Sequence, residues 1–295
     1  MHAGSFTVGL VQMQWPGSTA AAHDAAEAGI REAVGQGAQI VCLQELFGSP
    51  YFCQKEDAAC FDLAEALPGP TTDRFAAVAR ELEAVLVVPV FERRTAGLYH
   101  NTAAVIDASG ELLGTYRKMH IPDDPQYYEK FYFAPGDLGY PVFETRYARL
   151  GVLICWDQWY PEAARLMALG GAELICYPTA IGWPATEPGP EGEAERDAWR
   201  TVQRGHAVAN GIWVASVNRV GVESSSSDRL RFWGSSFVCD PAGRVVAEAS
   251  EEAAVVVARC ERNLVEQQRR AWPFLRDRRV ETYAPLSRRF LDGRE

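Results

Sequence analysis

Histidine is scarce in this chain of 295 residues, with five at positions 2, 23, 100, 120 and 206, and none shares a metal-ligand spacing with a cysteine or carboxylate. No metal is implied. The sequence also has no glycine-rich loop of the kind that cradles phosphates and no dinucleotide fingerprint after a strand, so no cofactor is expected. Basic residues are few against acids, 29 against 39 for a formal charge of -10, and they are scattered rather than clustered. That excludes a nucleic-acid partner, which needs grouped Lys and Arg to neutralise phosphates. No apolar run reaches membrane-spanning length, and Met1 to Trp15 lacks a basic stretch followed by an apolar core and small-residue cleavage site. The expectation is a cytoplasmic protein that does not enter a membrane. Repeats, low-complexity blocks and dividing linkers are absent too, so residues 1–295 read as one domain.

What is present is ordinary globular composition, 47% hydrophobic and 23% charged. Seven cysteines, at 42, 53, 60, 155, 176, 239 and 260, are odd in number and widely spaced, several inside apolar runs, which is not a disulfide framework. Phe6 to Gln14 reads as a strand, Thr19 to Val34 as a helix closed by glycines, and Gln39 to Gln44 as a buried strand. A helix capped by Thr72, with Phe75, Val78, Ala79 and Leu82 on one face, leads to a strand at Val85 to Val90. Strands at Tyr99 to Asp107 and Glu111 to Tyr116 flank a hairpin-like Ala108-Ser109-Gly110. Lys118 to Pro141 has no period and reads as a long ordered loop of the functional kind.

Further on, a helix opens at Pro161, a strand at Glu173 to Tyr177, and a helix whose close-packing face is Ala198, Val202, Gly205 and Ala209. Strands are expected at Trp213 to Asn218, Phe232 to Cys239, Arg244 to Ala247 and Ala254 to Ala258. From about residue 262 the chain reads as a last helix and then an extended arm, aromatic and arginine-rich, suited to packing on a neighbouring subunit or across its own domain. Alternation of helices with strands and hairpins gives an α/β or α+β domain of layered sheets.

Cys155 ends the apolar run Leu150 to Ile154, just ahead of the helix at Pro161, whose dipole favours an anion. Alone it would read as a small buried core residue. Glu45 ends the buried strand Gln39 to Gln44 among hydrophobes, where burial eases protonation of a carboxylate. Lys118 ends the strand through Tyr116. Each alone would read as a strand-end charge in water. Together they are the parts amide hydrolysis by a thiol requires: a base for its proton, a nucleophile, and a cation for the oxyanion.

The segments Gln44-Glu45-Leu46-Phe47, Tyr116-Arg117-Lys118-Met119-His120-Ile121-Pro122 and Cys155-Trp156-Asp157-Gln158-Trp159-Tyr160-Pro161-Glu162 resemble, in order and spacing, the nitrilase superfamily of carbon–nitrogen hydrolases. The resemblance covers essentially the whole chain. It implies a four-layer α-β-β-α sandwich with a C-terminal arm, no cofactor, and a homo-oligomer, dimer or larger. It also implies Glu45 as general base, Lys118 as oxyanion stabiliser and Cys155 as nucleophile, with the Trp156 backbone N–H as a second oxyanion donor. Glu129, in Tyr127-Tyr128-Glu129-Lys130-Phe131, matches a glutamate that positions the lysine and substrate in that superfamily. Read alone, it is a loop charge.

Within the superfamily, the residues after Glu45, those from Cys155 to Arg165, Tyr177 to Gly182 and Trp272 to Arg279 look like the N-carbamoylputrescine amidohydrolases, which release putrescine, carbon dioxide and ammonia in polyamine synthesis from agmatine. A small substrate with a protonated amine on a four-carbon chain needs an apolar tunnel tipped with acid. Tyr51, Phe52, Trp156 and Trp183 are candidates for the walls, and Asp123, Asp124, Asp157 and Glu187 for the tip. The loop holding Glu187 reads as longer than in some relatives. The rivals are an amidase for N-carbamoyl-β-alanine or an N-carbamoyl amino acid, with Lys55, Arg117 or Lys130 to meet a carboxylate, and an omega-amidase. A binding protein that keeps the fold without catalysis, and a papain-like protease using His120 or His206, are further alternatives.

Overall fold

The computed structural model describes residues 4–184, 189–225 and 228–293. In chain order the strands and helices are β1 (Ser5–Gln12), α1 (Thr19–Gly35), β2 (Ile40–Leu43), α2 (Pro70–Leu82), β3 (Val85–Thr95), β4 (Leu98–Ile106), β5 (Leu112–Arg117), α3 (Glu129–Tyr132), β6 (Val142–Glu144), β7 (Arg149–Val152) and α4 (Pro161–Leu169). They continue as β8 (Leu174–Pro178), β9 (Gly182–Pro184), α5 (Gly189–Asn210), β10 (Trp213–Val217), β11 (Val220–Ser225), β12 (Asp228–Trp233), β13 (Phe237–Cys239), β14 (Val245–Glu248), β15 (Ala254–Glu261) and α6 (Arg262–Ala271).

Two six-stranded sheets, in the orders β15-β1-β2-β3-β4-β5 and β14-β13-β10-β8-β7-β6, face one another. Strands buried on both faces need apolar residues without alternation, which is why β2 and β8 read as continuous runs in the sequence. Between the sheets, Leu10, Cys42, Val87 and Val105 meet Leu150, Val152, Cys176 and Val214. Outside the first sheet, α1 and α2 bury Ala26, Ile30, Phe75 and Ala79 against Val41, Leu86 and Val88. Outside the second, α4 buries Ala163 and Met167, and α5 buries Trp199 and Ala207. The result is the α-β-β-α sandwich. A small sheet, β11-β12-β9, stands beside it. Among the described residues no helix is long and apolar enough to cross a membrane.

Three expectations are corrected. The helix after residue 69 begins at Pro70 rather than behind Thr72, because proline suits the first helical position, and the Thr72 hydroxyl instead bonds Gly69 from inside the first turn. Phe232 to Cys239 is not one strand. Gly234 and Ser235 both take positive φ, +56° and +57°, and the turn they make carries the chain from the small sheet at β12 into the second large sheet at β13. On α5 the small residues do not form the buried face. Gln203, His206 and Asn210 go inward beside Trp199, since each finds a buried partner, and Ala198 and Gly205 are exposed.

Candidate active site

Three strand ends converge at one end of the sandwich. Glu45 follows β2, Lys118 follows β5 and Cys155 follows β7. The Lys118 backbone is held on both sides, its N–H donating to the Asn101 carbonyl and its carbonyl accepting from Gly136, each at 2.8 Å. Gly136 is required there, because a Cβ would run into the Arg117 carbonyl. Glu129 opens the one-turn helix α3 inside the long loop that follows.

The Lys118 ammonium, fully buried, lies 2.8 Å from Glu45 Oε1 and 2.6 Å from Glu129 Oε2. Burial alone would lower its pKa, but the Glu129 and Glu45 carboxylates outweigh burial and hold it well above the usual lysine value. Glu129 is pushed up to about 7, first by burial, with Lys118 opposing and Glu45 adding repulsion. Its other oxygen accepts from the Tyr51 hydroxyl at 2.9 Å. Asn101 Nδ2 donates to Glu45 Oε1 at 2.7 Å, while Glu45 Oε2 is buried with no hydrogen bond among the described residues. A buried carboxylate oxygen without a donor is unusual, and it is the oxygen free to take a proton.

Cys155 stands in the left-handed region at φ +43°, a strained conformation for a residue with a side chain. Burial pushes its thiol well above the usual value, Glu45 adds to this, and Lys118 opposes it. The thiol opens into a cavity of about 370 Å³ that Glu129 also lines. Aromatic Tyr127, Trp156, Trp159 and Trp233 supply its walls, and the acids are Asp124, Glu129 and Glu195. No lysine, arginine or histidine lines it among the described residues.

The remaining expected residues divide. Trp156 and Asp124 line the cavity, and Asp123 is exposed outside it. Tyr51 sits behind Glu129, and Phe52 is stacked on Phe91 in a separate aromatic cluster. Trp183 is buried beside Trp233, its indole N–H spent on the Gly192 carbonyl, so Trp233 forms the wall instead. Asp157 does not reach the cavity. Its carboxylate is fully buried and both oxygens already accept hydrogen bonds, so it cannot tip a tunnel. Glu187 lies outside the described residues. Asn101, Tyr127, Glu195 and Trp233 escaped the sequence reading. For Asn101 a signal existed, since the β4–β5 hairpin lays it beside Lys118.

The cations a carboxylate-bearing substrate would need are elsewhere. Lys55 pairs with Asp57 at 2.8 Å, Arg117 bridges Glu92 and Asp137, and Lys130 is exposed. Nor does either histidine serve the thiol: His206 Nε2 is 2.8 Å from the Gln158 carbonyl, and His120 Nδ1 is 2.6 Å from Asp157 Oδ1. Among the described residues no three His, Cys, Asp or Glu side chains are grouped to hold a metal ion.

A sequence profile of the carbon-nitrogen hydrolase family matches residues 7–270. The chain belongs to that family. It is 46% identical over 268 residues to N-carbamoylputrescine amidase of Arabidopsis thaliana, covering 89% of this chain and 88% of the plant protein. It is 40% identical to a citrullinase of Francisella tularensis, covering 96% and 98%. A carbon-nitrogen hydrolase from Helicobacter pylori superposes with a TM-score of 0.94 at 43% identity, covering 97% of this chain and all of the other. The protein is a nitrilase-superfamily hydrolase of carbon–nitrogen bonds, similar to N-carbamoylputrescine amidases.

Proposed function

We propose that the substrate is N-carbamoylputrescine, cleaved at its ureido C–N bond to putrescine, carbon dioxide and ammonia, as a step in making putrescine from agmatine. The observation that carries this reading is the cavity wall. A cavity lined by the Cys155 thiol, by aromatic rings and by acids, with no cation among the described lining residues, suits a carbamoyl group joined by methylenes to an ammonium. Asp124 on the long loop and Glu195 on α5 are the carboxylates that meet the amine.

The chemistry follows from the buried charges. Because burial keeps Cys155 a thiol at neutral pH, attack needs a base, and Glu45 Oε2 takes the proton as sulfur bonds to the carbamoyl carbon. The carbonyl electrons move onto oxygen, held by the Lys118 ammonium and the Trp156 backbone N–H. Glu45 returns the proton to the departing nitrogen as the C–N bond breaks, leaving a thioester-like acyl-enzyme. A water that gives one proton to Glu45 then attacks the carbonyl, Glu45 passes that proton to the departing sulfur, and the carbamic acid set free breaks its remaining C–N bond spontaneously to carbon dioxide and the second amine. Glu129, tied to Lys118 and Tyr51, fixes the ammonium in place and supplies negative charge that keeps it protonated.

The test is ammonia release from N-carbamoylputrescine, L-citrulline, N-carbamoyl-β-alanine and simple omega-amides, compared by kcat/KM. A preference for N-carbamoylputrescine of about tenfold or more, roughly 1.4 kcal/mol, is expected. Citrulline and N-carbamoyl-β-alanine bring a carboxylate to a wall with no cation among the described residues. Preference for either one overturns the substrate.

The C-terminal arm is the surface we assign to a second copy of this chain. Trp272, Val280, Leu286, Phe290 and Leu291 are 60%, 62%, 68%, 76% and 65% exposed, far more apolar surface than one tail carries for solubility. Light scattering on the full chain should give a dimer or larger.

A further inference from the structure

We propose that Asp157 is a positioning residue that fixes the nucleophile turn against the lysine segment, a role distinct from contact with substrate. It rests on the reading of Cys155 as nucleophile and Lys118 as oxyanion stabiliser.

Asp157 Oδ2 accepts from the Ile154 backbone N–H at 2.9 Å and from the Tyr116 hydroxyl at 2.7 Å. Oδ1 accepts from the His120 backbone N–H at 3.0 Å and lies 2.6 Å from His120 Nδ1. Ile154 immediately precedes Cys155, and Tyr116 and His120 bracket Lys118 on either side. One carboxylate therefore grips both catalytic segments, which come from strands in different sheets, β5 in the first and β7 in the second. The bond to Ile154 also closes the turn in which Cys155 holds φ +43°. A strained backbone persists only where surrounding bonds over-determine it, and this carboxylate is fully buried where such bonds are strong. His120 is braced in turn, its ring stacked on Tyr160 at 3.7 Å and 6°.

Each oxygen faces one backbone N–H, of Ile154 or of His120, so an amide at this position must set its NH₂ against one of these fixed donors and lose that bond. Asp157→Asn is expected to lower kcat by about a hundredfold while KM for N-carbamoylputrescine stays within about threefold, because misplacement of catalytic groups by an ångström costs that much in rate. Alkylation of Cys155 by iodoacetamide, which has no amine to bind, should slow in parallel. Tyr116→Phe and His120→Phe each delete one donor with little change of shape. Each is expected to lower kcat by about fivefold to tenfold with KM unchanged, and these two carry the test if Asp157→Asn does not fold.

Variants whose kcat stays within about twofold of the parent overturn the proposal. So does an Asp157→Asn protein that keeps kcat but raises KM tenfold, since that marks a carboxylate meeting the substrate amine. Cys155→Ser, assayed alongside, separates the two failures. Retained turnover there removes the nucleophile assignment itself, whereas an inactive serine variant beside normal Asp157, Tyr116 and His120 variants removes only the positioning role.

Discussion

Tyr51 stands between two buried clusters of charge that differ in one respect. Its hydroxyl touches Glu129 of the lysine cluster, and its backbone N–H donates to Glu223, the partner of Arg219. Arg219 is fully buried with a partner at each nitrogen: it bonds Glu223, the Leu46 carbonyl and the Ser49 carbonyl, and lies over the Phe232 ring. Both Glu223 oxygens are engaged. Lys118, equally buried, has two carboxylates for one positive charge, and Glu45 Oε2 is left without a donor. Satisfied charge builds structure, and surplus charge with a free acceptor is available for proton transfer. The two clusters also cooperate, because the carbonyls held by Arg219 belong to the turn directly after Glu45.

The sharpest way to break this comparison is to remove the free oxygen and nothing else. Glu45→Gln keeps the bond from Lys118 to the remaining oxygen and the shape of the side chain. It should lower kcat by about 10³-fold with the melting temperature little changed, a loss typical of a missing general base. Steady-state ammonia release and thermal unfolding read the two outcomes separately. An active Glu45→Gln enzyme would make the unpartnered oxygen a feature without a function.

Arg219→Met should do the reverse. Glu223 would be left buried without its cation, and breaking such a pair costs about 3–5 kcal/mol of folding stability. Denaturant unfolding measures that loss, and kcat of the protein that remains folded should fall by less than about fivefold. A collapse of kcat at full stability would place Arg219 in the chemistry through its hold on the turn after Glu45.

The same contrast explains what the sequence made legible. Glu45, Lys118 and Cys155 each end an apolar strand, a local signal that survives without knowing what the strand packs against. Asp157 reads as a tunnel tip because the local pattern shows only an acid two residues after Cys155. That Tyr116, 41 positions away, donates to it is a tertiary fact. The aromatic wall failed for a related reason: Trp183 and Trp233 sit side by side, and only the bond from Trp183 to Gly192 decides which one faces the cavity. On α5 the sequence points to Ala198, Val202, Gly205 and Ala209 as the packing face because period and polarity are local, whereas the Gln158 carbonyl that receives His206 is not. The layered fold was readable throughout, since it needs only strand and helix periods, but Gly234 and Ser235 shift the chain between sheets through backbone angles that no hydrophobic pattern records.

The smallest effect tests the surplus charge itself. Because the folded-state pKa of Glu129 lies at about 7, above the ordinary 4.5, folded protein holds a proton there that the unfolded chain has released. Its contribution to stability is therefore present below about pH 4.5 and lost as pH rises through about 7. Glu129→Gln removes that titration while keeping a side chain that can still face Lys118 and Tyr51. Melting temperature against pH should then decline less steeply between 4.5 and 7 in the variant than in the parent. Arg219 and Glu223 balance one another, so Glu223→Gln should instead lower stability across the whole range, and an unchanged slope in Glu129→Gln would mean that the lysine cluster is as balanced as its neighbour.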